Sequence, residues 1–173
     1  PLSQIASIPQ PFAIAVKTDI MAKADFYILN KRDHSDRLAF LFRLIEKTSQ
    51  LGHSIYIHTN SLQQATEIDD YLWTHKVESF LPHELNHGQD KPTITNTASP
   101  LQPITIGFTE DCKDHDDLLI NLASELPGFY KKFNRIAEIV IQDDGILKEL
   151  RLHYRQITND GIEALIHDFR QKK

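Results

Sequence analysis

Apolar positions along the chain change their spacing several times, and each change marks a predicted element of secondary structure. Short runs of β-branched and aromatic residues indicate strands, whereas apolar residues that recur every three to four positions indicate helices. Strands and helices alternate at the start of the chain, which predicts a parallel sheet with right-handed crossovers. Five strands are predicted, at residues 25–29, 53–59, 104–109, 118–122 and 136–141.

Two helices are predicted in the first half of the chain. The first is capped by Ser35 or Asp36 and ends before Gly52. The second begins at Ser61, where Gln64 completes a capping box. The positions expected to be buried on these helices are Leu38, Leu41, Leu44, Ile45, Thr48, Leu62, Ala65, Ile68 and Leu72, with Trp73 as a further candidate.

Two further helices are predicted at the end of the chain. One runs through residues 147–158, and the last follows Asn159 with apolar residues at helical spacing. Those residues are Ile162, Leu165, Ile166 and Phe169. Together the elements predict an α/β fold, a single domain whose mostly parallel sheet carries helices on both faces.

The predicted domain is Rossmann-like but lacks a nucleotide-binding loop. All six glycines are isolated, so neither G-x-G-x-x-G nor G-x-x-x-x-G-K-[ST] occurs. Residues 21–173 are assigned to this domain, beginning at the only methionine, Met21. Residues 1–20 contain three prolines and are expected to be an N-terminal extension, upstream of the functional start. Residues 86–103 are rich in Pro, Thr, Asn and Gly and indicate a long polar loop.

Composition narrows the function to a local site on an ordinary globular domain. The 173 residues are 40% hydrophobic and carry a net charge of −5, which argues against a surface that coats nucleic acid. The single cysteine, Cys112, cannot form an internal disulfide and suits a reducing cytoplasm. It is flanked by acidic residues, and no serine lies in a G-x-S-x-G motif, so nucleophilic catalysis has no candidate.

A basic stripe is the most informative feature of the third predicted helix. At about 100° per residue, Lys148, Arg151 and Arg155 lie within roughly 60° of one another, with Tyr154 at the border of the apolar face. A forked guanidinium beside an exposed ring can hold a carboxylate and an apolar side chain together. This pattern indicates a site for a short acidic peptide that ends in an apolar residue. The alternative is an ordinary solvated helix face whose cations offset the helix dipole.

The segment His83-Glu-Leu-Asn-His87 matches H-E-x-x-H, the pattern of zinc proteases. In that pattern two His one helical turn apart bind zinc and the Glu activates water. Pro82 before the motif and Gly88 after it leave little room for the helix that the chemistry needs. A zinc metallohydrolase centred on His83, Glu84 and His87 therefore remains an alternative function.

The only tryptophan, Trp73, lies near Phe80 in the sequence, at the end of the second helix. Aromatic residues at a helix end are usually core residues, but they are also typical anchors of protein interfaces. A generic α/β interaction domain that uses Trp73 and Phe80 is a third hypothesis.

Four segments, taken in order, carry a family resemblance. They are Ala24-Asp-Phe-Tyr-Ile-Leu, Asp69-Asp-Tyr-Leu-Trp73, Glu78-Ser-Phe-Leu-Pro-His83 and Arg151-Leu-His-Tyr154 followed by Gly161. The most specific part is the pairing of Leu72-Trp73 with Glu78-Ser-Phe-x-Pro-His83. Over Met21 to about Gly161 the chain resembles the chi subunit of bacterial DNA polymerase III holoenzyme.

The resemblance implies a clamp-loader accessory that has no catalytic activity of its own and needs no cofactor or metal. It implies that the C-terminal helix grips the acidic, Phe-terminated tail of single-stranded-DNA-binding protein. Arg151 would clamp the terminal carboxylate, and Tyr154 and Val140 would line the pocket. Lys148 and Arg155 would steer the acidic residues of the tail. Relatives can have a lysine where this chain has Leu147, so the charge lies one residue later.

The resemblance also implies a second partner and a cellular location. Trp73 and Phe80 would face the psi subunit, which anchors such proteins to the clamp loader. The protein would act in the cytoplasm and join the nucleoid through the replisome. Under this interpretation the H-E-x-x-H match is coincidental.

Overall fold

The computed structural model describes residues 21–75, 79–88 and 103–170, which contain seven strands and three α-helices. The strands are β1 Lys23–Ile28, β2 Ile55–His58, β3 Glu84–Leu85, β4 Ile104–Gly107, β5 Leu118–Asn121, β6 Arg135–Val140 and β7 Glu163–Asp168. The helices are α1 His34–Gln50, α2 Leu62–Thr74 and α3 Asp144–Asn159, and a short 3-10 helix covers Tyr130–Lys132. The predicted N-terminal extension and most of the predicted polar loop lie outside the described residues.

The strands form one sheet in the order β3-β4-β2-β5-β6-β1-β7, and every described pair is parallel. Helices pack on both faces, which confirms the predicted α/β fold. All five predicted strands are present. The central ones are fully buried because both of their faces are covered.

Helices α1 and α2 cover one face of the sheet through the apolar periodicity that the sequence shows. Their core residues are Leu41, Phe42, Leu44, Ile45, Ala65, Ile68 and Leu72. The predicted cap of α2 is present, with one difference: the Ser61 hydroxyl accepts from Gln64 N at 3.2 Å, but the Gln64 side chain accepts from Asn60 N, at 2.8 Å, and not from Ser61 N. Two details were wrong: the N-cap of α1 is Asp33, two or three residues before the predicted cap, and Leu62 is exposed in the first turn of α2.

The other face of the sheet has a separate core beneath α3 and the loops that precede β6. Its buried aromatic residues are Phe26, Tyr56, Tyr130 and Phe133. At Gly107 a Cβ would clash with the Tyr56 hydroxyl, so this position in β4 admits only glycine while the ring stays in place. The close approach lets Tyr56 donate to the carbonyl of Asp111.

The last predicted helix is wrong, because residues 163–168 form the edge strand β7. Gly161 adopts φ +78°, and Ile162 N donates to Ile157 O at 3.1 Å, which closes α3 with a reversal of the chain. After this cap Ile162 and Ala164 face the core under α3, and the intervening Glu163 is exposed. The period is therefore two, which a sequence with apolar residues at both spacings could not reveal.

Candidate functional site

Helix α3 and the edge of the sheet enclose an apolar cavity of about 440 Å³. Three residues from the strands, Phe26, Ile28 and Ile166, form its floor. The helical residues that line it are Leu150, Arg151, Tyr154, Arg155 and Thr158. The volume falls within the range that holds small ligands and single side chains of a partner.

Helix α3 is held in place at both ends, which fixes the wall of this cavity. The Asp143 carboxylate caps its N-terminus by accepting from Ile146 N at 3.0 Å, and Gly161 ends it. Ile157 on its inner face is fully buried. The side chains on its outer face are therefore presented by a rigid element.

Tyr154 is 40% exposed and lies at the border of the cavity. Its ring meets the ring of Phe26 edge to face, with centroids 5.5 Å apart and planes at 62°. Such a pair fixes one edge of the tyrosine and leaves the other open to a ligand. The predicted position of Tyr154, between the basic stripe and the apolar face, is the one that the structure has.

The cations of the stripe are exposed, and two of them line the cavity. Arg151 and Arg155 contribute to its wall, whereas Lys148 lies one turn before Arg151 on α3 and does not line it. Among the residues that the structure describes, no carboxylate lies within ion-pair distance of any of the three. Their charges are therefore available to an acidic ligand.

Val140, the other predicted pocket residue, is 1% exposed and does not line the cavity. It pairs in register with Ile28, which does line it. Val140 therefore supports the floor from the neighbouring strand.

A buried polar cluster ties α3 to the sheet, and sequence reasoning did not find it. His153 Nδ1 lies 3.0 Å from Glu138 Oε1, and His153 Nε2 lies 2.9 Å from the Ser124 carbonyl. Asn121 also donates to Glu138, at 2.9 Å. Both partners of His153 accept hydrogen bonds when Glu138 is ionised, and the imidazolium, which donates from both ring nitrogens, satisfies the two of them.

The same cluster shifts the protonation of His153. Burial alone lowers its pKa, but the hydrogen bond and charge of Glu138 and the Ser124 carbonyl outweigh burial and raise the pKa above the usual value. The signal was present in the sequence. His153 lies between Leu150 and Ile157 on the inner face of the helix, where a polar side chain needs a buried partner.

The second predicted surface is exposed. Trp73 and Phe80 are 49% and 70% exposed, and their ring centroids lie 5.8 Å apart. The Trp73 ring also packs on His83 at 4.6 Å. We call these three residues the Trp73 patch.

The H-E-x-x-H segment lacks the geometry of a zinc protease. Glu84–Leu85 is the short strand β3, so His83 and His87 do not lie one helical turn apart. His83 Nδ1 donates to the Leu81 carbonyl at 2.6 Å, and its Nε2 lies 3.2 Å from Asp69. No cluster of three or more potential metal ligands occurs within the described ranges.

Cys112 is buried, and burial raises the pKa of its thiol.

Comparison with known proteins decides the family. The model of the DNA polymerase III chi subunit, HolC, matches residues 21–164. The chain belongs to this chi subunit family. The resemblance drawn from the four segments is thus confirmed, and a role in DNA replication as a subunit of DNA polymerase III follows from it.

Three curated chi subunits are similar to the chain over most of their length. The protein of Pseudomonas aeruginosa is 34% identical over 147 residues, covering 85% of this chain and 96% of the relative. That of Haemophilus influenzae is 32% identical over 142 residues, covering 82% and 94%. That of Escherichia coli is 24% identical over 140 residues, covering 78% and 90%. None of the helices in the part of the chain that the structure describes is long and apolar enough to cross a membrane.

Proposed function

We propose that the protein is a non-catalytic adaptor that links the clamp-loader assembly to single-stranded-DNA-binding protein. The cavity between α3 and β7 binds the acidic, Phe-terminated tail of that protein. The tail brings the replicase to DNA through a protein contact, which agrees with the net charge of −5. The adaptor acts in the cytoplasm, at the nucleoid where the replisome works.

One observation carries the proposal: an apolar cavity of about 440 Å³ has in its wall two guanidinium groups that no described carboxylate pairs with. The cavity fits an aromatic side chain, and its floor of Phe26, Ile28 and Ile166 offers only apolar surface. Arg151 supplies the forked donor that a terminal carboxylate binds in two parallel hydrogen bonds. An acidic peptide with an apolar carboxyl end satisfies both halves of the site.

The remaining predicted residues have supporting roles in the proposal. Arg155 and Lys148 attract the acidic residues that precede the terminal Phe and raise the association rate. Tyr154 covers the bound ring from the helix side. Val140 acts through Ile28 by holding the floor in place.

Binding of a labelled peptide that copies the host tail tests this function. We expect binding by the wild type and a loss of roughly ten- to a hundredfold in Arg151→Ala, since a charge-assisted bidentate contact is removed. Thermal melting should be unchanged, because Arg151 is a solvated helix residue. Glu149→Ala is a matched control on the same helix and should not weaken binding.

The result that contradicts the adaptor is clear. If the wild type does not bind the tail peptide at low salt, or if Arg151→Ala melts early and loses binding together with its fold, the assignment fails.

The same proposal gives the Trp73 patch to the psi subunit, the anchor to the clamp loader. Support comes from the exposure of Trp73 and Phe80, since paired aromatic residues at a surface are typical anchors of an interface. The patch is more than a surface of scattered side chains, because its member His83, whose side chain is buried, donates to the Leu81 carbonyl and packs against Trp73.

A further inference from the structure

Strand β7 lies at the end of the sheet and pairs only with β1 among the described residues. Its six residues run parallel to β1 in an unbroken register from Glu163 to Asp168. The edge strand at the opposite end of the sheet, β3, has only two residues. A long edge strand of this kind presents main-chain groups that can pair with another chain.

The direction of those main-chain groups follows from one hydrogen bond. Phe169 N donates to Ile28 O at 2.8 Å, directly after β7. Because alternate residues of a parallel strand bond to the same neighbour, the odd-numbered residues of β7 bond to β1. The N–H and C=O groups of Ala164, Ile166 and Asp168 therefore point away from the sheet.

The free edge and the cavity meet at Ile166. Its side chain is 56% exposed and forms part of the cavity floor, while its main chain faces outward. An added strand would lie about 4.8 Å from β7. From there an aromatic side chain on the α3 side reaches the cavity.

The charged side chains of β7 have partners of their own. Glu163 pairs with Lys23 at 3.3 Å, and His167 lies 2.7 Å from the buried Asp25. Asp168 binds Arg170. The nearby cations of the cavity wall, in contrast, are unpaired among the described residues, so the local charge favours an acidic chain at this edge.

We propose that the acidic tail bound in the α3 cavity runs along β7 as an eighth strand, with alternate main-chain groups bonded to Ala164, Ile166 and Asp168. This inference rests on the proposed function. It adds a source of affinity that does not depend on side-chain identity, since peptides added to a sheet edge bind largely through the main chain. The Phe side chain gives specificity, and the strand contact sets the path of the residues before it.

Backbone-methylated peptides test the added strand. One peptide carries N-methyl groups on the third and fifth residues from its carboxyl end, and the other carries them on the fourth and sixth. Only alternate amides of an added strand face β7, so one peptide should bind about tenfold or more weakly and the other should bind almost like the unmodified tail. The two peptides have the same number of methyl groups and the same charge, so each is a control for the other.

Amide hydrogen exchange gives a second readout on the protein. Binding should slow exchange at Ile166 and Asp168, whereas Leu165 and His167 are bonded to β1 in the free protein and should change little. Equal binding by both methylated peptides, or no added protection at Ile166, overturns the strand and leaves the cavity site intact. If the unmodified peptide does not bind at all, the proposed function itself fails.

Discussion

The two candidate surfaces, the cavity beside α3 and the Trp73 patch, lie at opposite ends of the sheet. They differ in the interactions that they offer to a partner. At the β7 end, α3 covers one face of the sheet. There an apolar cavity has the guanidinium groups of Arg151 and Arg155 in its wall. At the β3 end, α2 packs on the other face, and the Trp73 patch offers tilted aromatic rings; its three residues carry no guanidinium or ammonium group. One end suits a charged chain terminus, and the other suits an apolar partner surface.

The two surfaces share no residue, so the loss of one proposed partner removes no contact of the other. An adaptor needs such independence, because the loss of one partner must not release the other. The ends also differ in how they are supported. The wall of the cavity depends on the buried pair of His153 and Glu138, whereas α2 is held by apolar packing.

Glu138→Ala should have the largest effect and should act only at the β7 end. It removes the buried carboxylate that both His153 and Asn121 bond, which costs about 3–5 kcal/mol of the free energy of unfolding. Urea denaturation measures the loss. Tail binding should weaken with it, because α3 loses its tie to the sheet.

Glu163→Ala is the matched control for that experiment. It removes an exposed glutamate from an ion pair with Lys23 near the same cavity and should change stability by less than about 1 kcal/mol. Similar losses in both variants would show that the buried pair does not anchor the helix.

Trp73→Ala should weaken binding of the psi subunit by about thirtyfold or more, as truncation of a central aromatic anchor does. Affinity for the tail peptide should be unchanged, because the two surfaces share no residue. Isothermal titration with each partner measures both. A joint loss of the two affinities would mean that the ends are coupled, and the comparison would break down.

Arg151→Lys sharpens the comparison, because it keeps the charge and removes the fork. We expect roughly tenfold weaker tail binding, since lysine cannot make two parallel hydrogen bonds to a carboxylate. Fluorescence anisotropy of the labelled peptide measures the change. Full affinity in this variant would reduce the role of Arg151 to general attraction.

At the β7 end of the sheet, the sequence predicted helix α3 correctly but did not predict strand β7. The basic stripe of α3 and the border position of Tyr154 follow from helical geometry alone, and both are present. The strand β7 was not predicted, because its apolar residues fit a helical and a strand period equally well. The cavity floor was missed for the same reason, since Ile166 belongs to that strand.

Long-range contacts account for the other gaps. The partners of His153 come from β6 and the segment after β5, and no local pattern shows that Glu138 and Ser124 converge on one helix. Val140 was placed in the pocket through the resemblance, whereas the register puts Ile28 there instead. At the β3 end the exposure of Trp73 could not be decided from periodicity, because the residue after Leu72 can face either way.

The pH dependence of the free energy of unfolding tests how His153, which bonds Glu138, holds α3 to the sheet. Because the pKa of His153 is raised on folding, its contribution is complete below the usual value of 6.5 and is lost as the pH rises through the folded pKa. The stability difference between wild type and His153→Gln should therefore be largest at pH 5–6 and shrink towards pH 8. Burial lowers the pKa of His58 and His115, but these residues are present in both proteins and cancel in the difference. A difference that grows with pH would mean that His153 is neutral in the fold.

The salt concentration should affect binding at the two surfaces differently. This is the smallest of the expected effects, and measuring it needs no substitution in the protein. Tail binding brings several carboxylates to Arg151, Arg155 and Lys148, which are exposed and therefore screened by ions. Between 50 and 300 mM NaCl we expect its dissociation constant to rise about threefold, mainly through slower association. Binding at the Trp73 patch should change little, because burial of aromatic surface does not depend on screening. Stopped-flow rates for both partners over this range measure the contrast. If both associations slow equally, the charge of the whole domain controls them, and the cavity end has no electrostatic character of its own.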